Sequence, residues 1–170
     1  LPGDWGGIIV LGDAPVNKVN PVIEGGLILG SCVGGSTTYG GANANDNSGV
    51  LSYIRIEFCG FRFQQDNEVN GLTMGGVGAG TQIDHIQVSY SGDDSYEFFG
   101  GNVDVKHLVA FKGLDDDFDM DNGFSGRFQF GVSLREPNTA DASGSNSFEH
   151  DNDGAGTTSE PFTTPIISNV

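Results

Sequence analysis

His85-Ile-Gln-Val-Ser-Tyr-Ser-Gly-Asp-Asp-Ser-Tyr-Glu-Phe-Phe-Gly-Gly101 is followed, 22 positions on, by His107-Leu-Val-Ala-Phe-Lys-Gly-Leu-Asp-Asp-Asp-Phe-Asp-Met-Asp-Asn-Gly123. The two stretches are copies of one unit. The shift sets Asp93-Asp94 on Asp115-Asp116, Tyr96 on Phe118, Glu97 on Asp119 and Phe98 on Met120. A looser copy precedes them, with Ile54 under Ile86 and Leu72-Thr-Met74 under Tyr96-Glu-Phe98. Another follows, with Phe148-Glu149-His150-Asp151 over Phe118-Asp119-Met120-Asp121. Around these copies the chain has short alternating runs, such as 50–58, 83–90 and 103–111, each ended by Gly, Asn or Asp. No segment keeps apolar residues at helical spacing. A period in the low twenties built from strands and glycine-rich turns describes an all-β fold, a parallel β-solenoid with one coil stacked on the next. A β-sandwich with two similar hairpins is the alternative.

Stacking has a chemical consequence. Alternation in Tyr96-Glu-Phe-Phe99 puts Tyr96 and Phe98 inside and Glu97 outside. The same rule turns Asp119 and Asp121 outward in the next coil, and Glu149 and Asp151 in the one after. Glu97, Asp119 and Glu149 then form one column, Asp121 and Asp151 a second, and Asp93, Asp94, Asp115, Asp116 and Asp117 crowd the adjoining turn. Two carboxylates one coil apart repel by about 3.5 kcal/mol at an effective dielectric near 20. Residues 93–121 hold nine acids against Lys106 and Lys112. A hard divalent cation with oxygen ligands relieves such a ladder, so Ca²⁺ is the expected cofactor, with Asn122, Asn152 and turn carbonyls completing its shell. Plain solvation of the acids is the competing account. Asp117-Phe-Asp119-Met-Asp121 begins like an EF-hand loop, but its glycine falls one place late and position twelve is Phe128.

The 170 residues carry 23 Asp and Glu against 7 Lys and Arg, a net charge of −16. That charge argues against nucleic acid and anionic membrane as partners. The 12 Phe supply apolar area for a core, and no run approaches the length of a membrane span. One domain, 1–170, is expected, with loop insertions near 31–49 and 137–147. Strand-like residues at both ends suggest a piece of a longer solenoid.

Cys32 and Cys59, an even count in a chain of extracellular character, suggest a disulfide, with two free thiols as the alternative. The repeat stacks His85 on His107. Ordinary strand positions account for both, and a zinc pair is the lesser reading. Trp5, Tyr39, Tyr53, Phe61, Phe63 and Tyr90 offer ring surfaces for sugars or, more simply, packing. There is no Ser-His-Asp order or nucleophile elbow.

Several runs resemble a family of secreted bacterial repeat proteins, lipoproteins or surface-exported proteins of Bacteroidota type. They are Asp4-Trp-Gly-Gly-Ile-Ile-Val-Leu-Gly12, Asp46-Asn-Ser-Gly-Val-Leu-Ser-Tyr-Ile-Arg-Ile-Glu-Phe58, Glu68-Val-Asn-Gly-Leu-Thr-Met-Gly-Gly76 and Leu114-Asp-Asp-Asp-Phe-Asp-Met-Asp121, the last followed by Gly126-Arg-Phe-Gln-Phe-Gly131. The resemblance implies a right-handed parallel β-helix of pectate-lyase type, export to the cell surface or beyond, and a longer native chain. It transfers no catalytic residues.

The expected function is a non-enzymatic, Ca²⁺-stabilised structural or adhesive module that contacts polysaccharide or another surface protein. A Ca²⁺-dependent polysaccharide lyase, with Lys106, Lys112, Arg127 and Arg135 as available bases, is the second reading. A filament or surface-layer subunit that self-associates end to end is the third.

Overall fold

In the computed structural model, residues 1–25, 37–64, 67–142 and 144–170 are described. Among them there is no α-helix, and none long and apolar enough to cross a membrane. Twelve strands follow the alternating runs: β1 (Ile8–Leu11), β2 (Val50–Glu57), β3 (Arg62–Gln64), β4 (Asn67–Glu68), β5 (Leu72–Gly75), β6 (Gln82–Ser89), β7 (Tyr96–Phe99), β8 (Val105–Phe111), β9 (Phe118–Asp121), β10 (Arg127–Leu134), β11 (Phe148–His150) and β12 (Ile166–Ser168). They form two parallel five-stranded sheets, ordered β1-β5-β7-β9-β11 and β2-β6-β8-β10-β12, beside the small antiparallel pair β3-β4. From β5 onward the chain alternates between the large sheets, so each coil gives one strand to each. The rest of the coil is the crossover that parallel pairing requires. The chain is a β-helix.

The register is the one the repeat predicts. Tyr96 pairs with Phe118, Glu97 with Asp119 and Phe98 with Met120. Leu72 and Met74 pair with Tyr96 and Phe98, Ile54 with Ile86, and Phe148 and Glu149 with Phe118 and Asp119. One-residue slips are excluded because they would turn the aromatic column out of the core. That column is closely stacked, with Tyr96–Phe118 and Phe118–Phe148 ring centroids each 5.2 Å apart. Tyr96, Phe98, Phe118, Phe124 and Phe128 are fully buried, each contributing about 1.5–3 kcal/mol by burial. The Tyr96 hydroxyl lies 2.8 Å from the Ile86 carbonyl and 3.0 Å from that of Val109, which ties the two sheets together through the core.

Left-handed backbone recurs at two heights of the coil. After β5, β7 and β9 the corner residue is Gly76, Gly100 or Asn122, with φ of 59°, 66° and 51°. Gly and Asn are the residues that tolerate this conformation. In the second sheet, pairing skips one residue per strand: Ser52 pairs with Asp84 and Ile54 with Ile86, leaving Tyr53 and His85 unpaired. Tyr53, His85, His107, Phe130 and Asn169 all have φ between 52° and 64°. This left-handed kink, in register from strand to strand, turns two consecutive residues outward in each.

The insertion expected at 31–49 lies partly outside the described residues. Its described part lies back on the first sheet. Thr38 bridges Val22, and Tyr39 packs on Phe99 at 6.0 Å with Ile23, Ile9, Leu11 and Val16 around them. The insertion near 137–147 is mostly exposed. It is fastened by Ser145 Oγ, which donates to the Leu114 carbonyl at 2.7 Å, and by Arg135, which donates to the Asn146 carbonyl at 2.9 Å.

Candidate metal centre

The outward face of the first sheet carries the column Ile9, Thr73, Glu97, Asp119, Glu149. It starts apolar, under the packed segment of Ile23 and Tyr39, and becomes acidic along the axis. The sequence places Glu97 on the outside of the coil, and so it is. Alternation leads one to expect solvent there, yet Glu97 is only 5% exposed because Glu24 and Asn70 lie over it. The Asn70 amide donates to Glu97 and, at 3.0 Å, to Glu24.

The turn before the column is built by the repeat. Gly71 N–H donates to the Asp94 carbonyl, Ser95 N–H to that of Asp116, and Asp117 N–H to that of Asn146. Asn70, Asp94, Asp116 and Asn146 therefore occupy equivalent positions. The side chains reinforce the stack: Asp94 Oδ1 accepts the Asp116 N–H at 2.8 Å, and Asp116 accepts the Asn146 N–H. Asp94 and Asp116 are 9% and 2% exposed. Asp93 and Asp115 are half-buried beside them, Asp121 is half-buried at the end of β9, and Glu149 and Asp151 are exposed at the open end.

Burial and mutual repulsion shift these groups together. Burial pushes Asp119 up to about 7, with Asp116 next in effect. Burial and then Asp119 push Asp121 to about 8. Burial and then Glu68 push Asp93 to about 8. A hydrogen bond to Asp116, and then burial, raise Glu149 to about 8. Glu97 and Asp94 are raised well above the carboxylate range, burial being the first cause and neighbouring carboxylates the next. Glu24 is raised by burial. Among the described residues no Lys, Arg or His forms an ion pair with Asp94, Glu97, Asp119 or Asp121.

Asp117 is separate. Its carboxylate is fully buried but faces Arg135 at 3.0 Å and accepts the Ser133 hydroxyl, so it belongs to an ion pair on the other side of the turn. Asn152, expected to help hold the ion, is occupied elsewhere. Its amide donates to the Thr157 and Ser159 carbonyls and its oxygen accepts the Thr163 N–H, which closes its own loop.

The donor set fits a hard cation. Asp94, Glu97 and Asp119 each offer one oxygen, all within 4.8 Å of one another, and Asp94, Asp115 and Asp116 form a second such group. Ca²⁺–oxygen bonds of about 2.3–2.6 Å span that separation. Asp119 Oδ1, Asp121 Oδ1, Asn70 Oδ1 and both amide atoms of Asn122 are buried without a hydrogen-bond partner among the described residues. Asn70 and Asn122 are 0% exposed. Orphaned buried oxygens carry a desolvation penalty that a bound ion removes.

The four bases considered for lyase chemistry lie on or beside the second sheet. Lys112 pairs with Glu136, Arg127 with Asp104 and Arg135 with Asp117, and Lys106 is exposed on β8. Of the candidate sugar-stacking rings, Tyr39 is buried. Trp5 is held by a 2.8 Å hydrogen bond to the Glu57 carbonyl, and Phe58 stacks on Tyr90. Phe61 and Phe63 pack edge to face on the β3-β4 hairpin, and Tyr53 is 80% exposed. Cys59 is buried, with its thiol 3.5 Å from Ser91 Oγ; Cys32, its expected bridge partner, lies outside the described residues. Glu24 and Asn70 are the site residues that sequence reasoning missed.

No curated protein and no solved structure is a significant match to the chain. A family model does match, over residues 1–170: the pectate-lyase-like β-helix domain. Together with the two stacked parallel sheets, this shows that the chain belongs to the pectate-lyase-like β-helix family.

Proposed function

We propose that the chain is a cation-locked β-helix module that serves a structural or adhesive role at the cell surface or beyond, in contact with polysaccharide. One observation carries the cation: a largely buried carboxylate column, Glu97 over Asp119 with Asp94 beside it, that forms no ion pair with a base and leaves oxygens unsatisfied among the described residues. Ca²⁺ would be held by Asp94, Glu97 and Asp119, with Asp121 and Asn122 within the same wall. It supplies the positive charge that lets these groups ionise side by side. Because the ligands come from successive coils, binding joins β7 to β9 and the turns before them.

The engagement of Lys112, Arg127 and Arg135 in ion pairs with Glu136, Asp104 and Asp117 favours a structural role over a lyase, since proton abstraction needs a free base within hydrogen-bond reach of the same substrate that the cation holds. The family supports polysaccharide as partner; retention on immobilised acidic and neutral polysaccharides tests it. The cation is tested by calorimetric titration of chelator-stripped protein with Ca²⁺ near neutral pH, in two buffers of different ionisation enthalpy. Binding with release of protons is expected, because groups with pKa values of about 7 and 8 must give theirs up. No binding heat together with an unchanged melting temperature would overturn the reading.

A further inference from the structure

The second sheet carries an unrelated cluster. On its outer face Tyr53, His85, His107 and Phe130 form a stack, with ring centroids 4.6, 4.3 and 5.0 Å apart in turn. Stacking explains a ring at each of these kink positions, but Tyr and Phe at the two outer rungs show that it needs no nitrogen. The two imidazoles sit where the adjoining column, Ser52, Asp84, Lys106, Gln129, Ser168, carries its acid. Because the left-handed kink turns both Asp84 and His85 outward, Asp84 Oδ1 lies 2.9 Å from His85 Nδ1 and 2.7 Å from His107 Nδ1.

We propose that Asp84, His85 and His107 form a surface site for a borderline divalent transition ion of the Zn²⁺ class, distinct from the hard-cation wall on the first sheet. The three ligand atoms lie within 4.8 Å of one another. Two imidazole nitrogens and one carboxylate oxygen are the donor set that such ions prefer and Ca²⁺ does not. Tetrahedral bonds of about 2.0–2.1 Å set ligand atoms about 3.4 Å apart. The Asp84–imidazole separations, 2.9 and 2.7 Å, are hydrogen-bond lengths, so the carboxylate draws back by about half an ångström as the ion displaces the proton between them. The two nitrogens close the remaining gap by turning side chains whose rings are tilted by 26° and whose surfaces are 41% exposed. The fourth position is left to solvent: His85 and His107 line an open groove of about 630 Å³ on one side, and Asp84 lines a smaller one of about 360 Å³ with Asp104 and Lys106 on the other. The exposed Lys106 is the cross-strand neighbour of Asp84 and makes no ion pair with it among the described residues. Its charge opposes the incoming ion. A bound ion would pin β6 to β8, on the side of the helix away from the acidic wall.

The test is titration of the whole chain with Zn²⁺ in excess Ca²⁺, followed by calorimetry and by the imidazole proton resonances. One site per chain is expected, with the His85 and His107 signals moving and His150, on the first sheet, serving as the internal control. The variant His85→Phe with His107→Phe keeps the ring stack and should weaken Zn²⁺ by at least about tenfold. Lys106→Gln should tighten it severalfold, and Asp119→Asn should leave it unchanged. Absence of Zn²⁺ binding, or affinity that survives the double Phe variant and falls with Asp119→Asn, overturns the proposal. The second of these outcomes would place the ion on the acidic wall.

Discussion

Asp119→Asn should change the sign of its effect with the presence of Ca²⁺. Asp119 lies between Glu97 and Glu149 in the ladder, and burial raises its pKa from 3.8 to about 7. At about 1.4 kcal/mol per pH unit, holding it ionised in the folded chain above that pH costs about 4 kcal/mol. The amide is isosteric, carries no charge and can donate to the neighbouring carboxylates. In chelator near pH 8 the variant is therefore more stable than the parent. Recovering even a quarter of the cost raises the melting temperature by about 2–4 °C for a chain of this length. In saturating Ca²⁺ the order reverses, because the variant has lost an anionic ligand and with it part of the binding free energy that stabilises the folded state. Thermal unfolding followed by circular dichroism, in chelator and in millimolar Ca²⁺, reads both signs. An effect of the same sign in the two conditions would refute the reasoning: stabilisation in both would mean that the carboxylate never binds a cation, and destabilisation in both that it is not strained without one.

The same groups set a pH dependence. Asp119, Asp121 and Asp93, raised to about 7, 8 and 8, bind more protons in the folded chain than in the unfolded one between about pH 4 and 8. Cation-free stability is thus greatest near the acidic end of that window and falls as pH rises through it, and Ca²⁺ flattens the slope; urea melts across that range check it. Phe118→Ala removes the centre of the ring column between Tyr96 and Phe148 and should cost about 3–5 kcal/mol in urea denaturation, with or without Ca²⁺. Arg135→Met strands the fully buried Asp117 carboxylate and should cost about 3 kcal/mol, most of it restored by adding Asp117→Asn.

The fold was legible because two signals coincide in the repeat. Inward aromatics at Tyr96, Phe118 and Phe148 and outward acids at Glu97, Asp119 and Glu149 keep the same spacing, and parallel stacking turns that spacing into contact. Asn70 was within reach of the same logic, since Leu72 pairs with Tyr96 and the residue two before each is Asn70 or Asp94. Glu24 was not. It belongs to a non-repeating segment, and alternation says which side of a sheet a residue faces without saying what lies over that side. For this reason the cover that Glu24 and Asn70 lay over Glu97 could not be read from the strand pattern. The left-handed kink of the second sheet was also hidden. Left-handed positions are usually marked by glycine, whereas here Tyr53, His85, His107 and Phe130 adopt them. Only the recurring in-out-out-in pattern of Ile83-Asp-His-Ile86, Val105-Lys-His-Leu108 and Phe128-Gln-Phe-Gly131 carries the signal.

A crystal structure of the chain grown with Ca²⁺ tests the central claim most directly. The account predicts a strong peak in the wall of the first sheet, about 2.3–2.6 Å from carboxylate oxygens of Asp94, Glu97 and Asp119. Carboxyl groups hydrogen-bonded to one another or to water, with no ion between them, would contradict it.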